Sequence, residues 1–261
     1  MSLTISAERI EIATGVRRAV KEPVAMEASV DIYVNDKHLI TLLSTPRLHR
    51  ELALGWLFDE GVLQFWTEID QVNIVENKVM VRTKKPLQKE KLSVVGATRA
   101  LTTTRGLSID KFLKIISQNG SKTIKSDYKI RANQIIRMVN QLDDQAKLFK
   151  LTGGTHASAL YEEGELVAFA EDISRHNAID KVIGIAVQSG VDFSRCVLAS
   201  SGRQPADMVF KAVRMNIPII ASRASPIHSG IVLAKKVGVT LICFVRKQRM
   251  NIYTYPSRIL F

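Results

Sequence analysis

The chain has 261 residues, 46% of them hydrophobic, with a formal net charge of +12. That is enough apolar content for a sizeable core in one large domain or two modest ones, which excludes a disordered tail and a small disulfide-stapled module. No apolar run approaches the ~20 residues that span a bilayer, and the opening MSLTISAERIEIATG carries neither a signal-peptide apolar region nor an Arg-rich presequence, so a soluble cytoplasmic protein with no membrane partner is expected.

The sequence pI near 9.8 favours anionic partners: nucleic acid, a phosphate-bearing cofactor or an acidic protein surface. Zinc-finger spacing, an RNA-recognition signature and aromatic–basic interleaving are all missing, which makes nucleic acid the weakest of the three. Two cysteines, Cys196 and Cys243, sit in the apolar runs CVLASS and LICFVR and read as buried strand thiols.

Residues 22–45 alternate well enough for two strands turning at Asn35-Asp36. Thr45-Pro46 then starts a helix with an apolar stripe at Leu48, Leu52, Leu54 or Gly55, and Phe58, ending at Gly61. His49 falls on its polar side and is expected at the surface. Trp56 and Trp66 are expected in the core or at a domain contact. Residues 69–85 read as a second hairpin turning at Glu76-Asn77, which completes a β-rich N-terminal domain over residues 1–95.

Residues 96–130 lack a clear period and are predicted to be largely loop. RANQIIRMVNQLDDQAKLF then gives an amphipathic helix through Ile135, Ile136, Met138 or Val139, and Leu142. Gly153-Gly154 precede a hairpin that turns at Glu162 to Glu165 and returns to Ala170. In the helix that follows, Ala178, Ile179, Val182, Ile183 and Ala186 form an apolar face, while His176, Asn177, Asp180 and Lys181 share the other side. Spacing alone reads that side as a solvated face with a charge pair. The remaining chain alternates short β-branched strands with helical segments, giving an α/β layer over 131–261 with parallel strands buried by helices.

Three of these strands end in polar or cationic residues: Ser201-Gly202-Arg203, Ser222-Arg223, and Arg246 with Lys247 and Arg249. If the strands are parallel, all three endings reach one rim where two helices begin, which is a favourable place for a phosphate. Gly202 lets the backbone approach an anion and Arg203 can bind it through two N–H groups. His156 follows Gly153-Gly154 on a strand, where a buried, satisfied histidine is the commoner fate, and a helix cap or anion contact is open to His228, in SPIHSG before a helix.

GGTHASAL, EDISRHNAIDKVIG and SSGR, in this order, resemble the signature of the formate dehydrogenase accessory protein family, the FdhD-type sulfurtransferases. NDKHLITLLSTPRLHRELALGWLFDEGVL and FVRKQRMNIYTYPSRI extend the resemblance over nearly the whole chain. Ser174 stands where the family pattern usually has glycine. The resemblance implies a cytidine-deaminase-like C-terminal α/β domain beside a smaller β-rich one. It also implies sulfur transfer from a cysteine desulfurase to the bis(molybdopterin guanine dinucleotide) cofactor of an apo formate dehydrogenase, with the protein working as a homodimer. Cofactor contacts are then expected from His156, His176, Asn177, Asp180, Lys181, Ser201, Gly202, Arg203, Ser222, Phe244, Val245, Arg246, Lys247, Gln248 and Arg249, and a GDP-like nucleotide serves as a partial ligand.

The family commonly carries a Cys-Gly-x-Cys loop, and the best match here is Arg105-Gly106-Leu107-Ser108. Arg105 and Ser108 thus stand at the catalytic cysteine positions, and neither side chain can carry sulfane sulfur. The alternative is therefore a non-catalytic carrier that binds the guanine dinucleotide without handling sulfur. Zinc deaminases need H-x-E and P-C-x-x-C; His156 is followed by Ala157-Ser158 and no P-C-x-x-C occurs, so neither zinc nor deamination is expected.

Overall fold

A computed structural model describes residues 1–87 and 123–261 of the chain. The alternation of Val30, Ile32 and Val34, all buried, with outward Asp31 and Tyr33 makes β3 (Ala28–Val34) a strand with one core face. It pairs antiparallel with β4 (Lys37–Ser44) through Asn35 and Asp36, both at positive φ as a tight two-residue hairpin requires. β5 (Ile69–Val75) and β6 (Lys78–Thr83) form the second hairpin, and β6 joins β3 in parallel, giving a four-stranded sheet in the order β4-β3-β6-β5. Ahead of it β1 (Ser2–Glu11) and β2 (Val16–Ala25) make a separate two-stranded ribbon, which the sequence reading did not anticipate.

The helix after β4 is α1 (His49–Asp59), three residues later than expected at its start. Ser44 and Thr45 are held by hydrogen bonds to Asp172 far along the chain, so the backbone turns helical only past Leu48, itself at φ 57°. Two neighbouring expectations need correction. The imidazole of His49 is tucked inward, with Nε2 buried and burial lowering its pKa, and Trp66 lies exposed in a short 3-10 turn whereas Trp56 is in the core.

After β7 (Ile130–Arg131) come α2 (Ala132–Gln145) and α3 (Lys147–Thr152), then the hairpin β8 (His156–Glu162) and β9 (Glu165–Asp172), then α4 (Arg175–Ala186). β10 (Cys196–Ser200), α5 (Ala206–Arg214), β11 (Ile219–Ser222), α6 (His228–Val237) and β12 (Thr240–Arg246) alternate as predicted. β13 (Arg249–Ile252) and β14 (Ile259–Leu260), the latter paired with β7, close the chain. β10, β11 and β12 are parallel, whereas β8 and β13 run antiparallel to their neighbours, so the six-stranded sheet β13-β12-β11-β10-β8-β9 is mixed.

Residues alternate across this sheet. Val197 and Ala199 join Ile135, Met138, Val139 and Leu142 of α2 in one apolar layer, while Leu198 and Ile220 face the layer formed with α4, α5 and α6. The second layer continues without a break through α1 into the four-stranded sheet. Where α1 crosses α4 the backbones nearly touch: a Cβ on Gly55 would lie 1.7 Å from the Asp180 carbonyl oxygen, and one on Gly184 1.8 Å from that of Glu51. Among the described residues, no helix is long and apolar enough to cross a membrane.

Candidate anion-binding site

The parallel register of β10, β11 and β12 brings their carboxyl ends to one rim, as the sequence pattern requires. Ser201 N donates to Ala157 O of β8 and Arg223 N to Ser200 O, which ties the strand ends together. Ser222 Oγ donates to Gly202 O at 2.7 Å and accepts from Ala224 N, so Ser222 is a buried loop anchor and offers nothing to a ligand.

A cavity of about 430 Å³ opens at this rim, within the size range that holds small molecules. His156, Ser201, Arg223 and Arg246 line it from the strand ends, and Asp143, Phe149, Lys150 and Thr155 from α2, α3 and the segment after them. Ser201 Oγ accepts from Ala157 N at 3.0 Å and lies 3.3 Å from His156 Nδ1. Burial, with Arg175, His176 and Arg203 nearby, lowers the His156 pKa and keeps the ring neutral near pH 7. Arg223 pairs with Asp143, and Lys150 contacts Asp144. Arg246 stacks over Phe244, its guanidinium 6.0 Å from the ring centroid. The cavity therefore presents two guanidiniums and an ammonium, with Asp143 on Arg223, Asp144 on Lys150 and the Glu171 carboxylate behind Thr155, while Arg246 has no carboxylate against it among the described ion pairs.

The remaining predicted contacts scatter. Arg203 is exposed beyond β10, Gly202 is buried under the Arg175 side chain, and Val245 lies in the core. Lys247, Gln248 and Arg249 form the exposed β12–β13 turn, outside the cavity wall. His228 is exposed at the first position of α6. His176 is half-buried at the start of α4, with Nε2 2.9 Å from Asp207 Oδ2. Burial opposes the Asp207 charge, but that contact holds its carboxyl below the usual range.

The rest of the α4 polar face overturns the expectation of a solvated side. Asn177, Asp180 and Lys181 are buried, Asn177 and Lys181 at the ends of β4 and β9 and Asp180 against Lys211 of α5, and they do not line the cavity. Lys181 Nζ lies 2.5 Å from Asp172 Oδ2 and donates to Thr45 Oγ1; Asn177 Nδ2 donates to Leu43 O and to Asp172. Lys211 of α5 is held by Asp59 and Asp180 at 2.5 and 2.6 Å. These contacts join the two halves of the chain, which is why spacing within one helix did not reveal them.

Asp143, Lys150 and Asp207 were missed. They occupy ordinary polar positions on helices, and only the meeting of those helices with the strand ends gives them a place. Arg105 and Ser108, with most of the 96–130 region, lie outside the described residues. Cys196 and Cys243 are buried and unpaired; burial, with Glu162 and Asp192 adding at Cys196, raises both pKa values to about 12. Among the described residues no group of three or more His, Cys, Asp or Glu is placed to hold a metal ion.

Residues 25–260 match the FdhD/NarQ family. The chain belongs to that family. Two similar FdhD/NarQ members are sulfur carrier proteins FdhD. The one from Sulfolobus acidocaldarius is 32% identical, over 95% of this chain and 96% of its own, and that from Methanothermobacter thermautotrophicus is 34% identical over 94% of each. A crystal structure from Desulfotalea psychrophila, described as a formate dehydrogenase accessory protein, superposes with a TM-score of 0.81 at 28% identity and covers 99% of both chains. The FdhD/NarQ match thus spans both sheets and the cavity rim.

Proposed function

We propose that this protein serves formate dehydrogenase maturation by holding the nucleotide end of the bis(molybdopterin guanine dinucleotide) cofactor at the strand-end cavity. The observation that carries this reading is the convergence of Lys150, Arg223 and Arg246 on one cavity at the ends of three parallel strands, beside neutral His156 and Ser201. A diphosphate suits that set: guanidiniums bind phosphate oxygens through paired N–H groups, and Lys150 adds a compact charge. The cofactor is cargo, passed on to the apo-enzyme, and its metal chemistry belongs to the client. The mixed sheet, with α2 on one face and α4 to α6 on the other, supports the cytidine-deaminase-like layering expected of the family.

A second reading, sulfur transfer from a cysteine desulfurase, is favoured by the names of the relatives, sulfur carrier protein FdhD. It needs a thiolate, and the two cysteines of this chain are buried with raised pKa values. The carrier reading therefore fits this chain better. GDP binding by calorimetry at fixed salt tests it. Arg246→Ala should weaken binding about ten- to a hundredfold, the loss expected for about 1.5–3 kcal/mol of charge-assisted phosphate contact, while Arg47→Ala leaves it unchanged. Equal affinity in both variants, or no GDP binding at all, removes the cavity from the account.

A further inference from the structure

Successive residues of a strand point to opposite faces of its sheet, and β9 ends in two carboxylates, Glu171 and Asp172. Asp172 turns to the layer of α1 and α4, where it holds Ser44, Thr45 and Lys181. Glu171, opposite Ala157 of β8, turns to the face that carries α2. Its carboxylate is engaged at both oxygens. Oε2 accepts from Leu148 N at 2.9 Å, and Oε1 accepts from Phe149 N at 2.8 Å and from Thr155 Oγ1 at 3.2 Å. Glu171 itself does not line the cavity, yet all three bonds end on the segment that does.

That segment needs an outside hold. At six residues α3 is far shorter than the ~12–15 at which an isolated helix becomes even marginal in water. Its first N–H groups have no partner within the helix, and Ala146 ahead of them has no side-chain oxygen to cap them. Ala146, at ψ 64°, also breaks the path from α2, and Gly153, at φ 67°, breaks the path to β8, so neither neighbour sets the direction of α3. Buried Leu148 and the Glu171 carboxylate fix it instead. The same short helix puts Phe149 and Lys150 into the cavity wall, with Thr155 beside them. Charge and position then make opposite demands. A carboxylate behind a cationic cavity repels a bound anion, so through its field alone the loss of Glu171 would tighten binding, whereas through α3 the loss loosens it.

Given that the cavity holds the nucleotide end of the cofactor as proposed, we infer that Glu171 is its positioning residue, clamping the Leu148 and Phe149 amides so that α3 presents Lys150 to the phosphates. GDP calorimetry at fixed salt on the full chain tests this with Glu171→Gln, which keeps the side-chain shape, removes the charge and sets an amide NH2 against a backbone N–H. Binding weakens about tenfold, the equivalent of about 1.4 kcal/mol. In a Lys150→Ala background the same change costs no more than about twofold, because the group it positions is gone. Glu165→Gln, at the far end of β9, leaves the affinity unchanged. Hydrogen exchange at the Leu148 and Phe149 amides quickens in Glu171→Gln, with GDP or without it. Equal or tighter binding in Glu171→Gln, a full loss that persists without Lys150, equal weakening by Glu165→Gln, or unchanged exchange at the two amides overturns the role of Glu171 alone. An unaltered protein that binds no GDP removes the nucleotide from the cavity and that role with it.

Discussion

Lys181 and Lys211 are both buried, yet their pKa values move in opposite directions. Burial lowers that of Lys181 against the carboxylates of Asp172 and, more weakly, Glu51, whereas at Lys211 the Asp180 and Asp59 charges outweigh burial and raise it. The cost returns on Asp180, where burial and the Asp59 charge raise the carboxyl to about 7 despite Lys211. Folding therefore strengthens the hold of Asp180 on a proton. Its contribution to stability is greatest below the unfolded carboxylate value of about 4 and declines as pH rises to about 7. Asp180→Asn, which fixes the neutral form and leaves Lys211 with Asp59, should gain on the unaltered protein across that window in urea unfolding. Lys211→Met should instead lose about 3–5 kcal/mol at pH 7, because it leaves the buried Asp59 and Asp180 carboxyl groups without the cation they share. Cys196 and Cys243 carry a different expectation. In the native state at pH 8 neither should react with a maleimide, and both should react once guanidinium unfolds the chain; rapid native labelling would reopen a role for them in carrying sulfur.

At the scale of the element, the crossing of α1 and α4 depends on Gly55 and Gly184. Either glycine replaced by alanine drives a methyl group into a facing backbone carbonyl that no rotamer change can move. Gly55→Ala should cost at or above the ~1–3 kcal/mol of ordinary overpacking, read as a lowered urea midpoint with an unchanged slope. This crossing also marks where sequence reading stopped. The hairpin at Asn35-Asp36, the amphipathic face of α2 and the parallel strands after Cys196 were legible because each is a local pattern, in which turn chemistry or a period of two or 3.6 declares the element. The polar side of α4 carries the same kind of pattern and misled, because its partners Thr45, Asp59 and Lys211 belong to other elements. Burial is a property of the assembled molecule, and a helix period reports only which residues share a side.

For the molecule as a whole, the candidate site was half legible. The strand ends named Ser201, Arg223 and Arg246, and the family resemblance named His156; the fold brings these four to one cavity. Asp143, Phe149 and Lys150 complete that wall from α2 and α3, and nothing in their local sequence marks them. The continuous apolar layer from the four-stranded sheet through α1 to α4, α5 and α6 has a further consequence, for the order of events during synthesis. Ser44 and Thr45 find Asp172 127 or more residues later, and Asp59 finds Lys211 152 residues later. Until the ribosome has released the chain through α5, the end of β4 lacks the Asp172 carboxylate that holds it, and α1 lacks both the ion-pair partner of Asp59 and the surface it covers. Such distant closures slow folding and leave apolar surface open in the meantime. The N-terminal half is therefore made first and finished late, and the interval between is when this protein most needs a chaperone of its own.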